Sequence, residues 1–331
     1  MKIFTPVLVL MLMASSCSVT ENSSYPAKRI DVASGPEDMV LDRSGENARL
    51  LISCSARREG EKPFGEIISY SLSSGKVDTL LRTGTPDSLY FQPHGIFLDS
   101  ISDPPLLYAI SHEHDAGFHP VYIYAVCGDT LIFKELASSP LVHSPNALTL
   151  GEHGDIYLVN DAGKRGSVLE KILKLNRADI VRLRKTADNH WEGSSLAGKL
   201  GYPAGINRIG NTLYAGDAVN HLLHVYTIED DNLIPETKIK GLKGNDNIRV
   251  CKGMIYLTGH VKPFRFIAHV KSSEKLSPVE VWQLDPSDNS VKSIFYTDGS
   301  LISAGSTAIM YGNKLYISQV FDPYILVVTL K

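Results

Sequence analysis

The chain has 331 residues, of which 43% are hydrophobic, 21% charged and 8% aromatic, a globular composition that excludes disordered, collagen-like and coiled-coil classes. Its 33 Lys and Arg against 36 Asp and Glu leave a net charge of −3, too near balance to hold nucleic acid or an anionic membrane surface by bulk charge. The length suits two average domains or one large all-β unit.

The N-terminus carries the first specific signal. Lys2 precedes an apolar run over residues 3–13, and Ala14-Ser15-Ser16-Cys17 follows. A charged start, a short apolar segment and small residues before a cysteine resemble a bacterial lipobox. The expectation is a lipoprotein signal peptide over 1–16, diacylation of Cys17, and a polar tether over 17–28. The mature chain would then be exported and held to a bacterial membrane by its lipid chains alone, periplasmic or at the cell surface. Beyond this segment no run approaches the roughly 18 apolar residues needed to span a bilayer. The remaining cysteines, Cys54, Cys127 and Cys251, have no metal-like spacing and read as small buried apolar residues.

From residue 29 onward, short runs of β-branched and aromatic residues recur at 48–53, 106–110, 155–159, 211–215, 253–257 and 313–318. A second alternating run follows each, at 66–70, 121–125, 223–226, 279–282 and 325–328, with 172–175 the best candidate after the third. Period-two strands broken by Gly, Asn and Asp, without helices of ten or more residues between them, indicate an all-β array. Six units of about 50 residues fit a six-bladed β-propeller spanning 29–331.

A propeller binds ligands where its inner strands converge, so hard polar residues at equivalent heights in several blades are the candidates. Glu37 and Asp38 stand in Gly35-Pro36-Glu37-Asp38, Asn146 in Ser144-Pro145-Asn146, Asn207 in Gly205-Ile206-Asn207, and Asp246 and Asn247 in Asn245-Asp246-Asn247. One Asn or Asp before a strand is ordinarily a turn residue, but recurrence across four blades argues for a site. An all-oxygen set suits Ca²⁺, whereas zinc would call for His or Cys. His94, in Pro93-His94-Gly95, and His112, after the second run, could activate and orient water near neutral pH. The His112-Glu113-His114-Asp115 stretch lacks the residue between the second His and the Asp that a metallo-hydrolase motif needs.

Taken in order, Gly-x-Glu-Asp at Glu37, Pro-His-Gly-Ile at His94, Pro-Asn at Asn146, Asn-Asp at Asp161 and Gly-Ile-Asn at Asn207 resemble the paraoxonase/arylesterase family. Asp-Asn-Ile at Asp246, Gly-His at His260 and Gly305-Ser306-Thr307 continue the likeness over nearly the whole chain after residue 30. The resemblance implies a six-bladed propeller hydrolysing lactones and aryl esters, with a catalytic Ca²⁺ held by Glu37, Asn146, Asn207, Asp246 and Asn247. It implies His94, assisted by His112, as the group activating water, with Asp246 an alternative base or nucleophile. A second, inner Ca²⁺ would use Asp38 and main-chain carbonyls near Met39 and Ile96, but Ala147 stands where the family has an aspartate. The family's animal members tie their termini with a disulfide. No Cys lies near residue 30 or 330 here, so closure is expected from strand pairing near residues 29–32. Two other readings share this residue set, a sugar-lactonase propeller with one divalent ion and a ligand-binding propeller whose calcium is structural. The expected partner is a small-molecule ester or lactone.

Overall fold

Half-buried strands of this length cannot cover both faces alone, so they stack sheet against sheet. The computed structural model describes residues 25–112, 119–164, 167, 170 and 173–330. Among them, six sheets run outward from the innermost strands Pro36–Asp42, Pro93–Asp99, Pro145–Leu150, Ile206–Ile209, Asn245–Cys251 and Gly305–Tyr311. Five blades have four strands, and blade two gains a fifth, Leu81–Thr83, parallel to Thr130–Ala137 at its edge. The chain is a six-bladed β-propeller. The ring closes as expected through strand pairing. Ala27–Asp31 lies antiparallel to Tyr324–Thr329, with Arg29 opposite Leu326, and completes blade six.

The core is a ring of interfaces. Six clusters of buried hydrophobic residues each join two neighbouring blades. Alternation along a strand sends successive side chains to opposite neighbours. In blade two, Leu107 and Ala109 pack with Val40 and Leu51 of blade one, while Tyr108 and Ile110 pack with Leu148 and Leu158 of blade three.

Several sequence expectations are corrected here. The six repeated runs lie on the second strand of each blade, from Arg49–Ser55 to Lys314–Gln319, and an innermost strand precedes each of them. The partner of the second strand in blade three is Ala178–Lys185, beginning just beyond the expected 172–175. A nine-residue helix, Pro263–Lys271, interrupts blade five. Of the three cysteines only Cys54 is buried; Cys251 is half-buried, Cys127 is exposed, and none is paired. Cys17, the segment before it and residues 113–118 lie outside the described residues. No helix among those described is long and apolar enough to cross a membrane.

The innermost strands share one irregularity. In five of six blades the pairing with the second strand slips near the start, between Pro36 and Asp38, Pro93 and Ile96, Pro145 and Ala147, Asn245 and Ile248, and Gly305 and Ala308. A bulge of this kind bends the strand and re-aims a side chain. Blade four has none, and Asn207 pairs regularly with Tyr214.

Candidate active site

The residues passed over by the slipped pairing are Glu37, His94 with Gly95, Asn146, Asp246 with Asn247, and Ser306 with Thr307. These bulges therefore gather polar side chains at the end of the channel where the innermost strands begin. Three are preceded by proline, Pro36, Pro93 and Pro145, which has no N–H to give to a ladder.

Glu37, Asp246, Asn247 and Ser306 form one contact network, and all four are buried. Asn247 donates its amide to Glu37 Oε1 at 3.2 Å and to Ser306 Oγ at 3.1 Å. Ser306 Oγ lies 3.1 Å from Glu37 Oε1 and 2.9 Å from Asp246 Oδ2. His260 Nε2 meets the same Asp246 oxygen at 3.0 Å, and its ring stacks on Phe266 of the helix Pro263–Lys271 with centroids 4.1 Å apart. The helix is tied down by Arg58, whose guanidinium donates to His269 O at 2.6 Å and to Asp322 at 2.9 Å. Beside this network, Asn146 donates to Asp161 Oδ2 at 3.5 Å, and Ser144 donates to the other oxygen of Asp161.

On the blade-two side, His94 Nε2 stands 3.6 Å from Glu37 Oε1, and the His94 and His112 rings are 4.7 Å apart. His119 continues the line at 5.1 Å from His112. Arg57 Nη1 lies 2.6 Å from His94 Nδ1, and its Nη2 is 3.8 Å from Glu37 Oε2. A guanidinium only donates, so Nδ1 must be the accepting nitrogen and the proton of a neutral ring sits on Nε2, toward Glu37.

The donor chemistry fits a hard cation at the cluster of Glu37, Asn146, Asp246, Asn247 and Ser306, the outer cluster, which lies at the start of the innermost strands. Glu37 Oε2, Asn146 Oδ1 and Asn247 Oδ1 are buried oxygens without a hydrogen-bond donor, an arrangement that is costly unless something positive meets them. Burial pushes the Glu37 carboxyl up to about 8, with Arg57 opposing the rise and Asp246 and Asp38 adding to it. A nearby cation would restore its ionised form. Among the described residues no group of three or more His, Cys, Asp or Glu is arranged to hold a metal ion. An ion at this point would therefore rest on carboxylate and amide oxygens together, which suits Ca²⁺ better than Zn²⁺.

Asn207, also expected to hold that ion, has both side-chain polar atoms engaged by the main chain. Its Oδ1 accepts the Arg208 N–H at 2.8 Å and its Nδ2 donates to Ile248 O at 3.0 Å. Blade four has no bulge to re-aim this side chain, which is held by its own strand and by the neighbouring innermost strand. The inner set departs further. Arg249 donates to both oxygens of Asp38, to Met39 O at 2.7 Å and to Ile96 O at 2.9 Å. The oxygens expected to hold a second calcium thus already face a guanidinium, and they do not fit a metal ion as they stand. Sequence reasoning passed over Arg57 and Arg249, and it named Ser306 and His260 only as motif residues, without their contacts to Asp246. The Pro-x start of three inner strands was the signal available for the bulges.

A search of curated proteins found no match. Among solved structures, a gluconolactonase from Xanthomonas campestris aligns with TM-score 0.60 and 14% identity, over 93% of this chain and 91% of its own. The PQQ-bound aldose sugar dehydrogenase of Streptomyces coelicolor aligns with TM-score 0.55 and 13% identity, over 94% and 99%. A putative 6-phosphogluconolactonase from Bacteroides uniformis aligns with TM-score 0.50 and 12% identity, over 86% and 78%. At these identities the likeness is one of fold, and a dehydrogenase among them shows that the fold alone leaves chemistry open. The sequence model that matches is the arylesterase family's, over residues 61–326. With that span well over half its length, the chain belongs to the arylesterase family and is a hydrolase of the ester or lactone type.

Proposed function

We propose that the chain hydrolyses lactones and aryl esters at the outer cluster, with one Ca²⁺ as its cofactor. The observation that carries this reading is the trio of buried, donor-free oxygens Glu37 Oε2, Asn146 Oδ1 and Asn247 Oδ1, set in blades one, three and five. These residues would hold the ion, with Asp246 supplying the second negative charge beside it. Bound there, calcium would supply a Lewis acid for the substrate's carbonyl oxygen.

The side chains then divide the remaining work. Asp246 has Oδ2 fixed by Ser306 and His260, which orients the carboxylate to take a proton from the attacking water. His94 as the base would need the lone pair on Nδ1 that Arg57 engages. In the tautomer set by Arg57 it instead presents Nε2–H and would donate to the oxyanion. His112 packs against His94 and holds its ring plane. Acid and base are thus separated by partner, the arginine fixing one ring and the histidine–serine pair fixing one carboxylate.

The substrate is a small-molecule ester or lactone, a reading supported by membership of the arylesterase family. We place the mature chain outside the cytoplasm, anchored through lipid on Cys17, on the strength of the apolar run and small residues before that cysteine. The test is turnover of phenyl acetate and of a six-membered lactone by purified protein, before and after chelation and after return of Ca²⁺, Mg²⁺ or Zn²⁺. Activity lost to the chelator and restored by Ca²⁺ supports the reading. Full activity in chelator removes the metal from it, and no turnover of either substrate removes the reaction.

A further inference from the structure

Below the outer cluster the channel contains a second oxygen cage, built by residues distant in sequence. Its members are both carboxylate oxygens of Asp38 and the main-chain carbonyls of Met39, Ile96 and Ile248, and Arg249 reaches every one of them. Nε donates to Met39 O at 2.7 Å, Nη1 to Ile248 O at 3.1 Å, and Nη2 to Ile96 O at 2.9 Å as well as to Asp38. Asp38 is further fixed by Thr307 Oγ1 and by the N–H groups of Met39 and Ile96, each at 2.8 Å. Both charged side chains are buried, Asp38 fully and Arg249 at 6% exposure.

Three carbonyl oxygens and a carboxylate facing one buried guanidinium make a site for a cation, because a positive group offsets the carboxylate while satisfying the carbonyls. We infer that Arg249 is a built-in cation that fills this cage, so that the chain binds no metal ion there and its ring of blades is tied by a guanidinium in place of an ion. The guanidinium bridges three blades, since Asp38 and Met39 belong to blade one, Ile96 to blade two, and Ile248 and Arg249 to blade five; Thr307 of blade six joins through Asp38.

The far mouth of the channel supports the same assignment. A cavity of about 380 Å³ opens there, at the C-terminal ends of the innermost strands, and Arg249 lines it together with Arg43, Arg208 and Lys252. Three further cations around the guanidinium oppose the entry of a divalent ion from that side.

Emptying the cage should turn it into a metal site. Arg249→Ala removes the guanidinium and leaves the Asp38 carboxylate and three carbonyls facing a void that opens on the far cavity. The experiment counts Ca²⁺ per chain by elemental analysis after dialysis against CaCl₂, and follows the thermal midpoint with CaCl₂ and with chelator. The assignment of no ion to the cage stands apart from the outer-site reading. The expected total of one ion rests on that reading, and Glu37→Gln separates the two.

Wild type is expected to hold one ion, Glu37→Gln none, Arg249→Ala two, and Arg249→Ala with Glu37→Gln one. Arg249→Ala should also gain a calcium-dependent rise of several degrees that wild type lacks at this site. Should Arg249→Ala fail to fold, Arg249→Lys, which keeps a charge and three donors, is expected to fold and to retain the wild-type count. A wild type whose count falls from two to one on Glu37→Gln would overturn the inference, because the second ion would then share the cage with the arginine. A wild type with no ion leaves the arginine assignment standing and sinks the outer-site reading instead.

Discussion

Replacing Gly95 by alanine should damage catalysis more than folding, and the structure gives the scale. A Cβ at residue 95 would stand 2.2 Å from Asn146 O, 2.9 Å from Ala147 Cα and 3.2 Å from Asn146 C, all of them backbone atoms of the next innermost strand. Ordinary contact begins near 3.4 Å, so the two strands must part by roughly an ångström, and no rotamer change can avoid it. Overpacking of this kind costs about 1–3 kcal/mol, which in a domain of this size corresponds to a fall of roughly 2–8 °C in thermal midpoint. Yet the strands that part are the ones carrying His94 and Asn146, and displacement of reacting groups by about 1 Å can cost roughly 10²-fold in rate. The assay pairs differential scanning calorimetry with lactone turnover. Gly45→Ala is the control, since nothing lies within 4 Å of a Cβ there and its φ is ordinary; it should stay within about 0.5 kcal/mol of wild type. A Gly95→Ala protein with unchanged midpoint and turnover would refute the close approach of the two bulged strands at the site.

Glu37→Gln and Asp246→Asn should each lower lactone turnover by about 10²–10⁴-fold or more, as measured by initial rates, because the first removes a charged ligand of the ion and the second removes both charge beside the ion and the base. His94→Gln keeps an acceptor for Arg57 and a donor toward Glu37, so it should retain activity within about tenfold, whereas His94→Ala should lose about 10²–10³-fold through the missing oxyanion donor; the opposite order would return the histidine to the role of base. Asp42 is pushed up by burial, but hydrogen bonds from Ser44 and Arg49 outweigh that and hold it below the usual carboxylate range. Its contribution is therefore present above about pH 4 and lost as pH falls through its folded value, so the midpoint gap between wild type and Asp42→Asn should close on acidification below about pH 4. Cys17→Ala should release the chain from the membrane fraction and abolish incorporation of labelled fatty acid; continued labelling would remove the anchor.

The fold was legible because its signal repeats. Six short runs with the same composition overcome the ambiguity of any one of them, and each contributes to an interface between blades. Which strand lies innermost was less legible, since residues such as Pro36-Glu37 and Pro145-Asn146 break the alternation that marks a strand, and they do so because the bulges need it. Position in sequence therefore singled out Glu37, Asn146, Asp246 and Asn247, which stand at bulged starts of inner strands. It also predicted Asn207, because nothing in Gly205-Ile206-Asn207 tells whether its strand will bulge. Arg249 was hidden for a different reason. An arginine between Ile248 and Val250 reads as a solvent-facing strand residue, and its inward course depends on Asp38, which lies 211 positions away. Long-range pairings of that kind decide the inner cage, and no local pattern encodes them.

The most direct test of the whole account is the position of calcium in a crystal of the chain grown or soaked in CaCl₂, read from anomalous scattering. The account requires a single peak in the channel about 2.3–2.6 Å from oxygens of Glu37, Asn146 and Asn247, beside Asp246, with Arg249 still against Asp38. A peak against Asp38 and the Ile96 carbonyl with Arg249 displaced, or no peak at Glu37 in protein that hydrolyses lactones in a calcium-dependent manner, would contradict it.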